Sequence, residues 1–415
     1  MPEEIHDGTS RFQTLSALRN SNFRWFWLNG ATQAMAQGMQ FLSMGILVLD
    51  VTDSSYQLGW VIFTYGIPTF LFTLAGGIIA DHADRLKLLI STRVAVSVLI
   101  LALAGLKITD LLEIWHIYAI SALLGTVQGL NMPARIAVIG DLVDLKDMMN
   151  AVALHSMVNQ TGQIVGPALA GGVIELAGVG AALLINAGLY LSGIVFLSLI
   201  KGLPPRRRAA TPKAAVFQDL QAGLRCVWST PVLYTVIGLA WSFTFFGMSY
   251  RQVLPAFTKE VLDVGAGGTG LLWLGAGLGS MLGSFILASL GDFKRKSWLL
   301  VGALLLVGLF LILFAWSPWY WLSWLFFFFL GTASTGLFWP LANTLVQLNV
   351  PPELRGRVSS ILQLAPATHF LTALPLAVLA GVFSWPIAVT GAASMVLVST
   401  LWLGIWRPVL RQFEG

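Results

Sequence analysis

The sequence predicts an all-α membrane protein in which twelve transmembrane helices form two six-helix, pseudo-symmetric bundles. Three observations predict it. Of 415 residues, 56% are hydrophobic and only 10% charged, against about 25% charged in a soluble globular protein. Twelve apolar runs reach the ~20 residues that a helix needs to cross a bilayer. The basic residues gather between alternate runs, as loops retained on one side of a membrane do. Strand-period alternation is absent, which argues against a barrel.

The first six spans read as 23–49, 56–80, 86–107, 115–134, 151–177 and 180–201. The second six read as 230–252, 266–290, 297–316, 319–348, 357–381 and 384–406. Residues 1–22 hold no apolar core of signal-peptide length, so the first span is expected to be its own insertion signal. Cys226 is the single cysteine, which excludes an internal disulfide and a cysteine-based metal cluster. Neither a metal nor a cofactor is expected.

Orientation follows from the charges. With a cytoplasmic N-terminus, all but Lys107, Arg251 and Lys259 of the 24 basic residues fall on the cytoplasmic side. Arg85, Lys87 and Arg93 are assigned to the loop region between spans 2 and 3, and Arg135 and Lys146 to that between spans 4 and 5. Both termini are then cytoplasmic. Because these charges are spread over seven short segments, nucleic-acid binding is not expected. The densest segment, "PPRRRAATPK", reads as a topology anchor and anionic-lipid contact. After it Val216, Phe217, Leu220, Leu224, Val227 and Trp228 recur at helical period, which suggests an amphipathic helix on the cytoplasmic surface. The expected organisation is a bundle over 1–201, a linker over 202–229 and a second bundle over 230–415.

Six spans, a basic linker and six more spans suggest duplication. "GGIIADHADRLKLL" after span 2 parallels "LASLGDFKRKSWLL" after span 8, aligning Asp81 with Asp292. "PARIAVIGDLVDLKDMMNAVAL" after span 4 parallels "PLANTLVQLNVPPELRGRVSSI" after span 10. Two matches in the right order at equivalent loops support a tandem repeat.

On these residues the chain resembles the major facilitator superfamily over nearly its whole length. The superfamily's loop signature between spans 2 and 3, G-x-x-x-D-R-x-G-R-[RK], is filled here by Gly77, Asp81 and Arg85, with Lys87 close by. His82 and Asp84 depart from it. "ALRNSNFRWFWLNG", "NMPARIAVIGDLV" and "PPELRGRVSS" are similar to the branch of enterobactin exporters and macrolide efflux pumps. The resemblance implies a carrier of small molecules in a bacterial cytoplasmic (inner) membrane, sufficient as a monomer. It also implies that Asp81 helps latch the two halves, accepting hydrogen bonds from the start of span 11 near Val358.

"TGQIVGPALAGG" in span 5 is similar to the superfamily's antiporter signature G-x-x-x-G-P-x-x-G-G, through Gly162, Gly166, Pro167, Gly171 and Gly172, with Ala170 in place of one glycine. Gly162, Gly166 and Ala170 lie at i, i+4 and i+8, a flat stripe that admits a second backbone. Pro167 removes one helical hydrogen bond and permits a bend. By resemblance this surface packs at the seam between the halves and seals one side of a cavity, which favours export. An ordinary small-residue packing face is the alternative.

Rocking of the repeats about a central site gives alternating access, and the resemblance implies that spans 1, 4, 7 and 10 line it. On span 1, Asn29, Gln33, Gln37 and Gln40 are spaced 4, 4 and 3, so they share one face. Lipid offers an amide no hydrogen-bond partner, so that face should point inward. Span 4 offers Gln128, Asn131 and Arg135, and span 5 offers His155, Asn159 and Gln163. Span 10 offers Thr332, Thr335, Trp339 and Asn343. Hydrogen bonding between helices, worth about 0.6 kcal/mol per contact, is the alternative to cavity lining. Trp241, Phe245, Trp273 and Trp339 are candidates to stack on substrate. A cavity of amides and aromatics suits amphipathic or aromatic molecules.

Coupling is less legible. Proton-linked carriers usually keep a carboxylate or histidine within the membrane, but all 19 acidic residues here fall in tails, loops or helix ends. Asp50 and Glu175 lie toward the outer edge. Asp50, His155, Glu175 and His369 are the candidates for proton coupling, the two histidines because histidine titrates near neutrality. The superfamily's R-x-x-Q-G pattern on span 4 reads "GTVQG", with Gly125 in place of the arginine. Arg251, toward the outer end of span 7, either attracts an anion or snorkels to the headgroups.

The expected function is therefore export of a drug-like or siderophore-like amphipathic molecule by proton antiport. A lysolipid carrier, an uptake system or a non-transporting scaffold are the alternatives. No HExxH pair, GxSxG elbow or Walker loop is present, so an enzyme is not expected.

Overall fold

The structure is a computed structural model that describes residues 13–82, 84–144, 147–201, 213–291, 293 and 295–406. Among these residues there are helices and no strand. In chain order α1 is Ser21–Thr52, α2 Ser55–His82, α3 Arg85–Ile108 and α4 Ile114–Leu142. Met148–Ser198 is one continuous helical stretch broken at Gly178 (φ 81°), which divides α5 (148–177) from α6 (179–198). The linker helix is Lys213–Ser229. The second half holds α7 Pro231–Glu260, α8 Ala266–Ser289, α9 Lys296–Ala315, α10 Tyr320–Asn349, α11 Pro352–Val382 and α12 Trp385–Gly404.

Nine described helices are long and apolar enough to cross a membrane by length and composition. One of the nine, residues 150–198, is two spans joined at Gly178. With α2 and α4 this is consistent with twelve crossings in two bundles.

Local chemistry sets several boundaries. The Asn20 side chain accepts hydrogen bonds from the Asn22 and Phe23 amides at 2.9 and 3.3 Å, which caps α1. Asp84 does the same for α3 through Leu86 and Lys87. The turn between α5 and α6 needs a left-handed residue, which Gly178 supplies without a Cβ clash. One boundary differs from the sequence reading. The segment "PARIAVIGDL" is not a loop but the last turns of α4, because Ala134, Val138, Ile139 and Leu142 bury one face against Phe23, Phe26 and Leu154. α7 and α10 each contain a π-helical stretch, Phe243–Gly247 and Thr332–Phe338.

The halves meet chiefly along α1 with α7, α2 with α11, and α5 with α8, with smaller contacts of α2 with α7 and α1 with α8. At the end remote from the termini, three polar links cross the seam. Lys259 Nζ donates to Asp53 Oδ1 at 2.5 Å. Ser55 Oγ donates to Glu260, whose other oxygen accepts from Trp385 Nε1 at 2.7 Å. Glu175 Oε2 accepts from the Gly267 amide at 3.2 Å, at the positive N-terminus of α8. Deeper in, Phe41, Tyr65 and Phe370 from α1, α2 and α11 form a three-ring plug with centroids 5.1 to 5.8 Å apart. This end is closed.

Candidate functional site

The amides of α1 point into the first bundle. Asn29, Gln33 and Gln40 are buried and Gln37 half-buried. Gln33, Gln37, Gln40, Gln128 and Asn131 line one cavity between α1, α2, α3, α4 and α6, on the terminal side of the ring plug. Its polar groups form a connected set. Gln33 Nε2 donates to Asn131 Oδ1 at 3.1 Å, and Asn131 Nδ2 donates to Thr92 Oγ1 at 2.8 Å. The Tyr190 hydroxyl on α6 donates to Gln40 Oε1 at 2.7 Å. Arg93 Nη2 donates to Gln33 Oε1, so both ends of the Gln33 amide are engaged.

Arg93 corrects the orientation tally. It is not a loop cation. It lies eight residues into α3, about 12 Å along the helix at 1.5 Å per residue, is 3% exposed, and sits over the Tyr190 ring at 5.5 Å. The apolar flanks in "LLISTRVAVSVL" carried that signal. Thr92, Tyr65 and Tyr190 were missed too, for they are unremarkable in a sequence and become polar lining only where helices meet.

Gly125, where the superfamily has arginine, is explained by packing. A Cβ there would lie 2.1 Å from the Tyr65 carbonyl oxygen, and Thr69 Oγ1 donates to the Gly125 carbonyl at 3.1 Å. The α2 and α4 backbones touch at this point, so no side chain fits. The guanidinium enters this chamber from α3 instead.

His155 and Asn159 do not join the amide cavity. Asn159 Nδ2 lies 3.0 Å from His155 Nε2, and the imidazole stacks on Phe26 at 5.8 Å. Gln163 is exposed and lines a second cleft, toward the other bundle, with Arg251, Trp273 and Thr335. Arg251 lies over the Trp273 ring at 4.6 Å, facing the seam. Gln363 Nε2 lies 3.5 Å from Asn343 Oδ1 farther along α10 and α11, and Trp339 is half-buried beside the ring of Phe338. His369 is 8% exposed beside Phe370, with Nδ1 unpartnered.

Asp50 and Glu175 sit at the closed end. Asp50 pairs with Lys107 at 2.8 Å, and Glu175 is the acceptor at the start of α8. Arg85 pairs with Asp141 at 2.7 Å within the first bundle. The side chains of Gly77 and Asp81, and Asp292 altogether, lie outside the described residues.

The glycine motif of α5 divides in two, which corrects the expectation of one smooth seam surface. A Cβ at Gly162 would meet Ala34 Cβ at 2.3 Å, and one at Gly166 would meet the Met35 carbonyl oxygen at 2.5 Å. Ala170 packs with Met39 and Leu42. The stripe therefore docks α5 onto α1 inside its own bundle. Gly171 faces the other half, where a Cβ would lie 2.5 Å from the Ala266 carbonyl oxygen, and the Pro167 backbone meets Gly270 beside it.

Known proteins fit this geometry. The chain is 26% identical over 348 residues to the enterobactin exporter EntS of Salmonella choleraesuis (strain SC-B67), covering 82% of this chain and 80% of that one. It is 24% identical over 354 residues to EntS of Citrobacter koseri, with the same coverage of 82% and 80%. Among solved structures, a bacterial homolog of the human lysosomal transporter Spinster, inward-facing and unoccupied, aligns with TM-score 0.69 at 13% identity over 95% of this chain and 97% of that one. A POT family transporter in complex with a thioalcohol-conjugated peptide aligns with TM-score 0.72 at 12% identity over 94% and 96%. At such identity these two share the fold alone. The sequence pattern of the Major Facilitator Superfamily matches residues 26–367 and again 277–412, and the chain belongs to that superfamily.

Proposed function

We propose that this chain is a secondary active exporter that moves an amphipathic small molecule out of the cell by alternating access, in exchange for protons. The bundles 1–201 and 230–415 rock about the linker 202–229, with both termini in the cytoplasm of a bacterial inner membrane and the monomer as the working unit. What supports the reading is one observation above others: amides from α1 and α4 converge on an enclosed polar cavity beside the seam, and the seam is closed only a few turns away by the ring plug and the polar links. In this orientation the closed end is periplasmic.

Within this reading Gln37 and Gln128 contact cargo, with Gln163, Arg251, Thr335, Trp339 and Asn343 on the facing surface. His155 and His369 carry the proton step, since each is a buried histidine with Nδ1 unpartnered. The exporter relatives support the direction. The test is a transport screen in reconstituted vesicles with an imposed pH gradient, comparing wild type with Gln37→Leu and His369→Ala. Gradient-driven movement that both variants lose is expected. No movement across a broad panel of lipophilic compounds would end the antiport reading.

A further inference from the structure

Two guanidinium groups are buried in the first bundle with donors unused. Arg93 Nε has no hydrogen-bond partner, and neither do Arg135 Nε and Nη1. Arg93 lines the amide cavity and lies over the Tyr190 ring at 5.5 Å, and Arg135 stands one helical turn beyond the cavity-lining Asn131 on the same face of α4. Among the described residues no carboxylate forms an ion pair with either.

A cation inside a membrane bundle is disfavoured unless an anion or a full set of acceptors meets it. Gln33 supplies Arg93 with one acceptor, and the Tyr190 ring supplies a face. That leaves N–H groups from two planar forks with no oxygen to receive them. Guanidinium forks match a planar oxyanion in pairs of parallel hydrogen bonds. Gln37 and Gln128 line the same cavity and, among the described residues, make no hydrogen bond of their own. The remaining lining is apolar or aromatic, formed by Val96, Leu124, Val127 and Tyr65, the last of which belongs to the ring plug. A charged head at one end of the cavity and a hydrophobic body at the other define the guest.

We propose that Arg93 and Arg135 form an oxyanion receptor in the first bundle, and that the cargo is an amphipathic carboxylate whose acid group binds there as the counter-ion the protein lacks. Its apolar body lies against Tyr65, Val96 and Leu124. The inference rests on the transport reading for its biological meaning, but it concerns binding alone.

The test is equilibrium binding to the full-length chain in phosphatidylcholine nanodiscs, followed by tryptophan fluorescence. The probes are 1-naphthoic acid, decanoic acid and their uncharged amides. For at least one pair the acid is expected to bind about tenfold tighter or more, the increment of a charge-assisted hydrogen bond. Arg93→Gln and Arg135→Gln each bring acid and amide toward equal affinity, while Gln37→Leu weakens both alike. Arg135→Gln carries the test if Arg93→Gln does not fold. Equal binding of acid and amide to wild type, no binding of either acid, or a preference that survives both arginine substitutions would overturn the proposal. Competition by phosphatidylglycerol added to the nanodisc would assign the arginines to a lipid headgroup and overturn it as well. A receptor that binds acids in a protein that moves nothing on a pH gradient would sink the antiport reading and leave this one standing.

Discussion

Lys259 Nζ lies 2.5 Å from Asp53 Oδ1, joining the last turn of α7 to the residue that ends α1 across the seam between the halves. The lysine's hydrogen bond and charge hold the Asp53 carboxyl below its ordinary value. A depressed carboxylate contributes when ionised. The link is therefore complete above the usual aspartate pKa of about 3.9 and is lost as pH falls through the depressed value. Closure of this end, followed by the distance between spin labels on the α1–α2 and α7–α8 connections, should be constant from about pH 5 to 8. It should loosen only in stronger acid. Opening near neutrality would show that another group controls this end.

Two glycines of one motif should fail in different ways. Gly162 presses on Ala34 within a bundle, whereas Gly171 presses on Ala266 across the seam. Gly162→Leu should lower thermal stability in detergent by about 1 to 3 kcal/mol, the usual penalty of overpacking. Gly171→Leu should leave each bundle intact and keep the remote end from closing, seen as reactivity of a cysteine placed at Ser54. Equal loss of stability in both would mean that the two faces are not distinct.

Gln33 and Gln37 are neighbours on one helical face with different duties. Gln33 bridges Arg93 and Asn131, so Gln33→Leu strands two buried polar groups at a cost of about 1 to 3 kcal/mol each. Among the described residues Gln37 makes no hydrogen bond while lining the same cavity. Gln37→Leu should leave the melting temperature unchanged and lower transport, so the two measurements separate a structural amide from a cargo amide.

Restoring the superfamily pattern at Gly125 should harm the protein. Gly125→Arg drives a side chain into the Tyr65 carbonyl, 2.1 Å from the new Cβ, and a cost of about 3 kcal/mol or more is expected. Poor yield and a lowered midpoint in a thermal-shift assay are the readouts. A stable, active variant would show that α2 and α4 can separate at that point.

The spans and the inward amide stripe were readable because each is a property of residues close together in the chain. Apolar length and helical spacing survive without knowledge of neighbours. Arg93 was misread for the complementary reason. Charge counting sees that a residue is basic but not that its helix began eight positions earlier, and so it placed a buried guanidinium in a loop. The glycine motif was visible as a motif, yet which helix met each glycine was not.

By itself the sequence determined that this chain crosses a membrane many times as helices. The bilayer imposes that requirement on each segment separately. Only the tertiary structure decided that Gly162 meets α1 while Gly171 meets α8, that Gly125 leaves no room for a side chain, and that Arg93 and Gln33 share a hydrogen bond. Those facts depend on residues 60 to 128 positions apart coming within a few ångströms, and close packing, unlike hydrophobicity, is decided between segments and not within them.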